Sequence, residues 1–380
     1  MHTAKHTFLL IRFPGIVVLW ISLLWGSSAL NEDRSPILRL GDVFPDLAFP
    51  NVLNEREREY LGLGDEETFT VEDIEEELVV VEFLNKYCFH CQVQAPVFVL
   101  AYNAIEADAN LRDRVKMIGV GAGNTRHQLE VFRGETGVQF PLVPDADFVA
   151  YDAVGSPKTP FTILLRKDSQ GHRIVASAHR GVIYSDKGFV EEIRAVLQYD
   201  VGLLTLRRSS EVPIQVKEEI KPALSEEELV DMITRSMEDT GGRVTEMKRV
   251  NLPEAGVVYV GNLSCDDGQK KRFAKIVSRA SFCDVCHDIH FIYVFDEEGI
   301  ILRFDPVHLT KKGNWEWDDK DVGKMRDRLE GRSLLEAFDF DPEVDAVTSA
   351  TISSQLIFMS LGEGKDLYQE LKKEGYLNQE

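Results

Sequence analysis

At 380 residues the chain exceeds one average domain, and about two is the expectation. With 43 Lys and Arg against 64 Asp and Glu it carries a formal net charge of −21, which excludes the basic face that nucleic-acid binding requires. A hydrophobic content of 44% excludes disordered and fibrous classes, and five cysteines are too few for a disulfide-rich scaffold, although four of them form two C-x-x-C pairs.

The first thirty residues read as a processing segment. Lys5 and Arg12 precede an apolar run over 13–25, and Ser27 and Ala29 stand at −3 and −1 of a cleavage site. That pattern fits a signal peptide or an N-terminal anchor, and either one implies an exported, periplasmic or otherwise extracytoplasmic protein. Within a first domain of 31–200, residues 75–200 then alternate between strand and helix patterns. The β-branched run 78–84 predicts a central strand, and apolar residues at helical spacing over 91–105 predict the helix after it. Strands are expected at 115–120, 161–165 and 173–179, the last two joined by the Asp168-Ser169-Gln170-Gly171 turn, with helices over 125–135 and 189–197. This order predicts an α/β sandwich with a central mixed sheet flanked by helices.

Composition shifts over 201–224 to prolines, Glu and Lys, which reads as a linker. Ser225-Glu226-Glu227-Glu228 is a capping box opening a helix that Gly241-Gly242 stops. Strands at 256–260, 290–295 and 300–304, an apolar helix over 353–361 and a charged tail make 225–380 a second, α+β domain.

Two segments carry chemistry, and each resembles a known family. Val81-Glu82-Phe83-Leu84-Asn85-Lys86-Tyr87-Cys88-Phe89-His90-Cys91 resembles the thioredoxin superfamily, in its membrane-tethered, peroxiredoxin-related branch. Pro96 stands where that family kinks its helix, Glu82 where it keeps a buried acid, and Thr159-Pro160 where it has a cis-proline loop. The resemblance covers about residues 40–200 and implies a thiol–disulfide oxidoreductase acting on protein thiols and disulfides. Asn85 replaces the Thr or Ser of the peroxidases, which argues against that activity. Chemically, a cysteine at a helix N-terminus meets unpaired amides that favour thiolate, so Cys88 would attack a disulfide and Cys91 would resolve it. His90 would stabilise the Cys88 thiolate further. Glu82, once buried, would have a raised pKa and accept the Cys91 proton. A cis Pro160 would leave backbone groups free to align a bound peptide. The assignment requires a sulfur that a substrate can reach.

Asp345-Ala346-Val347-Thr348-Ser349-Ala350-Thr351 resembles the flavinylation signature of the FMN-binding domain found in sodium-translocating NADH:quinone reductases. The resemblance spans about 225–362. It implies FMN attached covalently to Thr351 by a flavin transferase, with Asp345, Ser349 and Ala350 completing the motif and a membrane electron-transport component as partner. Ser349 stands where the family's commonest form has Gly. A third motif, Cys283-Asp284-Val285-Cys286-His287, is open to three readings: a dithiol/disulfide relay between the flavin and Cys88/Cys91, a haem c attachment with His290 or His308 as sixth ligand, or zinc held by Cys265, Cys283, Cys286 and His287. Trp315 and Trp317 read as loop anchors more readily than as flavin-stacking rings. The expectation is an exported thiol–disulfide oxidoreductase coupled to an FMN-binding electron-transfer domain. The rival is a non-catalytic electron-carrier or assembly subunit of a membrane redox complex.

Overall fold

The computed structural model describes residues 37–204 and 220–377. The signal or anchor expected over 1–30 and most of the expected linker lie outside the described residues. Among the described residues no helix is long and apolar enough to cross a membrane.

A short ladder of β1 (Phe49–Pro50) and β2 (Thr68–Phe69) flanks α1 (Glu55–Leu61) ahead of the first sheet. That sheet is built around β3 (Leu78–Leu84), all seven of whose residues are buried, as a continuous β-branched run in a covered sheet requires. After α2 (Phe89–Ala107), β4 (Val115–Ala122) pairs parallel with β3; after α3 (Arg126–Thr136), β5 (Leu142–Asp145) pairs parallel with β4. Past α4 (Val149–Ala153), β6 (Phe161–Lys167) pairs antiparallel with the other edge of β3, and β7 (Arg173–Arg180) antiparallel with β6. The order β5-β4-β3-β6-β7 is the expected mixed thioredoxin-like sheet. Helix α5 (Asp186–Val196) closes the unit, stacking Phe189 on Phe98 of α2 at 5.0 Å.

The second domain opens with α6 (Glu226–Glu238), capped by the anticipated Ser225/Glu228 box. Five strands come next as an antiparallel meander: β8 (Arg243–Leu252), β9 (Gly256–Cys265), β10 (Gly268–Arg279), β11 (Ile289–Phe295) and β12 (Ile301–His308). Side-chain alternation splits the sheet's two faces. Tyr259, Ala274, Ile292 and Val294 pack with Ile233 and Met237 of α6, while Phe273, Phe291, Tyr293 and Phe295 join the main core. A small hairpin of β13 (Thr310–Lys311) and β14 (Trp315–Glu316) precedes α7 (Asp319–Leu329), α8 (Thr351–Gly362) and α9 (Gly364–Lys373). The expected charged tail is therefore largely α9, which buries Leu367 and Leu371 and caps the amides of Glu254 and Ala255 with the Glu370 carboxylate at 3.0 and 2.7 Å.

The two domains share one continuous apolar cluster. Phe148 of the first meets Phe282 of the second at 5.4 Å, and Gln355 Nε2 donates to the Gly123 carbonyl at 2.7 Å. Gly123 has φ +67, and a Cβ there would collide with Phe148 and Gln355, so this close approach needs glycine.

Candidate functional site

The β3 strand runs directly into the first C-x-x-C. Asn85 Nδ2 donates to the Ala122 carbonyl at 2.7 Å, its Oδ1 accepts from Tyr87 N, and Asn124 Oδ1 accepts from Lys86 N, each at 2.8 Å. These bonds pin the turn so that Cys88 becomes the N-cap of α2, with its sulfur accepting from the Cys91 amide at 3.4 Å. The Cys91 thiol, by hydrogen bonding, is the largest influence holding the Cys88 pKa below its ordinary value; Thr159 and the Cys91 amide act the same way, against burial and the Asp284 charge. Burial drives the Cys91 thiol well up, with Cys88 and Glu82 adding to it. The two sulfurs are thus pushed apart in acidity, which divides attack from resolution. Glu82 is buried in β3, and desolvation pushes its carboxyl up to about 8, although Gln94 Nε2 donates to it at 2.7 Å. Gln94 in turn accepts from the Ile183 amide at 2.7 Å, so the acid is held by a fixed amide.

Two expectations need correction. His90 does not turn to Cys88; its Nδ1 lies 2.8 Å from Asp284 Oδ2, pairing across the domain boundary. Cys88 is also not open to a substrate from outside: it is 0% exposed. Part of its cover comes from the second domain. The Thr159–Pro160 peptide is cis, as expected, and Thr159 forms an isolated parallel bridge with Cys283. Thr159 N and Oγ1 donate to the Phe282 carbonyl at 2.7 and 2.9 Å, and the Asp284 amide donates to the Thr159 carbonyl at 3.3 Å. The segment Phe282-Cys283-Asp284 therefore occupies the place beside Pro160 expected for a bound peptide. Sequence could not show this, because the partners lie more than a hundred residues apart and no local pattern links them.

Cys283 and Cys286 form a disulfide, with Cα atoms 5.2 Å apart. The loop that holds them is braced by Cys283 N donating to Ser281 Oγ at 3.2 Å and Ser281 N to Asp288 Oδ1 at 3.0 Å. Of the three readings, the bond between the two sulfurs is the arrangement that a dithiol/disulfide pair takes. The zinc set is not brought together: Cys265 ends β9 at the hairpin with β10, and the full length of β10 separates it from Cys283. His287 Nδ1 meets His308 Nε2 at 3.2 Å, and His290 Nδ1 meets Ser278 Oγ at 2.9 Å. Burial, then His308, lowers the His290 pKa. Among the described residues, the group of His, Cys, Asp and Glu donors close enough to share a metal is Cys88, Cys283 and Asp284, within 4.8 Å of one another, and Cys283 is already bonded to Cys286.

The flavin-type motif lies close by. Thr351 is the first residue of α8, behind an Ala350 N-cap that provides no side-chain bond, so the opening amides of the helix are without a capping side chain. Ser349 has φ +63, the left-handed conformation that glycine adopts more freely than serine. Ser349, Ala350 and Thr351 line a cavity of about 510 Å³ together with Lys312, Phe89, His90 and Cys286. Asp345 stays back from this cavity and braces the preceding turn, its Oδ2 accepting from Asp341 N at 2.9 Å. Trp317 is a core anchor, as expected, donating from Nε1 to the Thr310 carbonyl, whereas Trp315 is exposed.

No family profile and no curated protein matches the sequence. Solved structures similar to part of the chain include a secreted Mycobacterium tuberculosis disulfide oxidoreductase homologous to E. coli DsbE, 15% identical over 40% of this chain and 96% of its own, TM-score 0.30. StoA from Bacillus subtilis is 16% identical over 39% and 96%, TM-score 0.29. The thioredoxin domain of a thiol-disulfide oxidoreductase from Bacteroides vulgatus is 16% identical over 42% and 99%, TM-score 0.32. At such scores these likenesses add nothing to the fold reading, which rests on the strand order, the cis Pro160 and the position of Cys88 at the start of α2.

Proposed function

We propose that this chain is an exported thiol–disulfide oxidoreductase whose second domain carries FMN. The observation that carries the first half is Cys88 at the start of α2 with its acidity raised, above a Cys91 of lowered acidity and a buried Glu82. Cys88 attacks a disulfide sulfur as thiolate and the partner sulfur leaves. Cys91, losing its proton to Glu82, then attacks Cys88 and releases the partner as thiol. Glu82 accepts a proton only when ionised, so resolution quickens as pH rises through about 8. Protein thiols and disulfides are the substrate class.

The FMN half is supported by the fit of the cavity. Thr351 borders a space large enough for a flavin, the uncapped α8 amides would suit a phosphate's charge, and Lys312 would add a cation. When bound, FMN would supply two-electron transfer. Thr351 would hold it, Ser349 and Ala350 would let it approach the backbone, a flavin transferase would attach it, and a membrane electron-transport component would exchange electrons with it.

Enclosure of Cys88 favours the rival reading, an electron-carrier subunit without thiol chemistry. Insulin reduction by the purified chain, with Cys88→Ser as control, separates the two: turnover lost in the variant supports the enzyme, and no turnover in either supports the carrier. Intact mass after co-expression with a flavin transferase tests the cofactor, with the adduct expected to vanish in Thr351→Ala.

A further inference from the structure

We propose that the Cys283–Cys286 disulfide is the internal redox partner of Cys88 and Cys91, with Cys283 the sulfur that Cys88 attacks. This rests on the reading of Cys88 as nucleophile and identifies what it meets first. Three independent observations converge on it. The Cys88 and Cys283 sulfurs lie within 4.8 Å of each other. The backbone on either side of Cys283 is held by Thr159 through three hydrogen bonds, the manner in which an extended substrate segment would be aligned beside Pro160. The disulfide also spans from Cys88 to open space: Cys283 is 1% exposed and lies against Cys88, Cys286 is only partly buried, and both line the Thr351 cavity.

The exchange balances. As the Cys88–Cys283 bond forms, the Cys283–Cys286 bond breaks and Cys286 leaves as thiolate. Cys91 gives its proton to Glu82 and attacks Cys88; the Cys88–Cys91 bond forms and Cys283 leaves as thiolate. Two electrons pass from the first pair to the second, and the product thiolates take that proton and one from solvent. The reverse sequence reduces Cys88 and Cys91. Holding both sulfurs in one chain replaces a bimolecular encounter, which explains how an enclosed Cys88 can still react.

In the full chain, Cys91→Ser stops the sequence at the mixed disulfide. After incubation at mildly alkaline pH, acid quenching, blocking of free thiols and non-reducing peptide mapping, Cys88–Cys283 should exceed Cys88–Cys286 by at least about tenfold, with Cys286 blocked. Cys91→Ala, mapped in parallel, repeats the test with a different side chain at the buried position. An intact Cys283–Cys286 bond in both variants, with Cys88 still forming a glutathione adduct on addition of oxidised glutathione, overturns the internal partner and leaves the nucleophile standing. Failure of Cys88 to form either bond, with the glutathione reaction repeated in Phe282→Ala to uncover the sulfur, overturns both.

Discussion

Two pairs of cysteines with the same spacing meet in this molecule, and the element that each one leads into sets its chemistry. Cys88 and Cys91 open a 19-residue helix, so the first sulfur receives an amide and a thiol hydrogen bond and gains acidity. Cys283 and Cys286 sit in a loop that runs into β11, where the backbone amides are spent on sheet pairing, and neither sulfur caps a helix. The first pair is built to hold a negative sulfur, the second to present a bonded one. Spacing alone therefore does not assign a C-x-x-C; its position at the head of a helix or a strand does.

The sharpest break in this asymmetry is removal of the attacking sulfur. Cys88→Ser should cut thiol–disulfide exchange by at least about 10³-fold in an insulin or glutathione assay, as expected for loss of a nucleophile. Next in size is the docking of the second pair onto the first. Phe282→Ala, which strips the contact with Phe148, should cost about 3 kcal/mol in urea denaturation and speed alkylation of Cys88 in the folded chain. An unchanged alkylation rate would mean the loop is not what shields Cys88.

Glu82 gives a smaller effect with a defined sign. Its folded pKa of about 8 lies above the ordinary carboxyl value, so the folded state keeps a proton that the unfolded chain loses. Stability therefore falls as pH climbs from the ordinary carboxyl range through about 8. Glu82→Gln should remove that decline, being more stable than the native chain at alkaline pH and little changed relative to it in acid, as read from melting curves at both ends. The same variant should lose the rise in resolution rate through about 8. The smallest effect concerns the boundary charge: Asp284→Asn removes an acid that opposes Cys88 ionisation, and should move its titration to lower pH.

Much of the first domain was legible because its strands are fully covered and rich in β-branched residues, and because the turn and capping signals sit at fixed offsets. Glu82, Cys88, Cys91 and Pro160 came together as those offsets implied. The polar strands β8 and β10 were missed: much of β8 is exposed, and Lys270, Lys271 and Arg272 break the apolar pattern of β10. Helix α9 was hidden by its charge, though Leu367 and Leu371 at i, i+4 mark its buried stripe. The seating of Cys283 on Cys88 had no local signal at all, since it depends on how two domains pack.

The central claim is that Cys88 ionises more readily than an ordinary cysteine. The direct measurement is thiolate absorbance against pH for the reduced chain, taken as the difference from Cys88→Ser. The predicted midpoint lies below the ordinary cysteine value of about 8.5; a midpoint at or above it would contradict the assignment of Cys88 as the attacking thiolate.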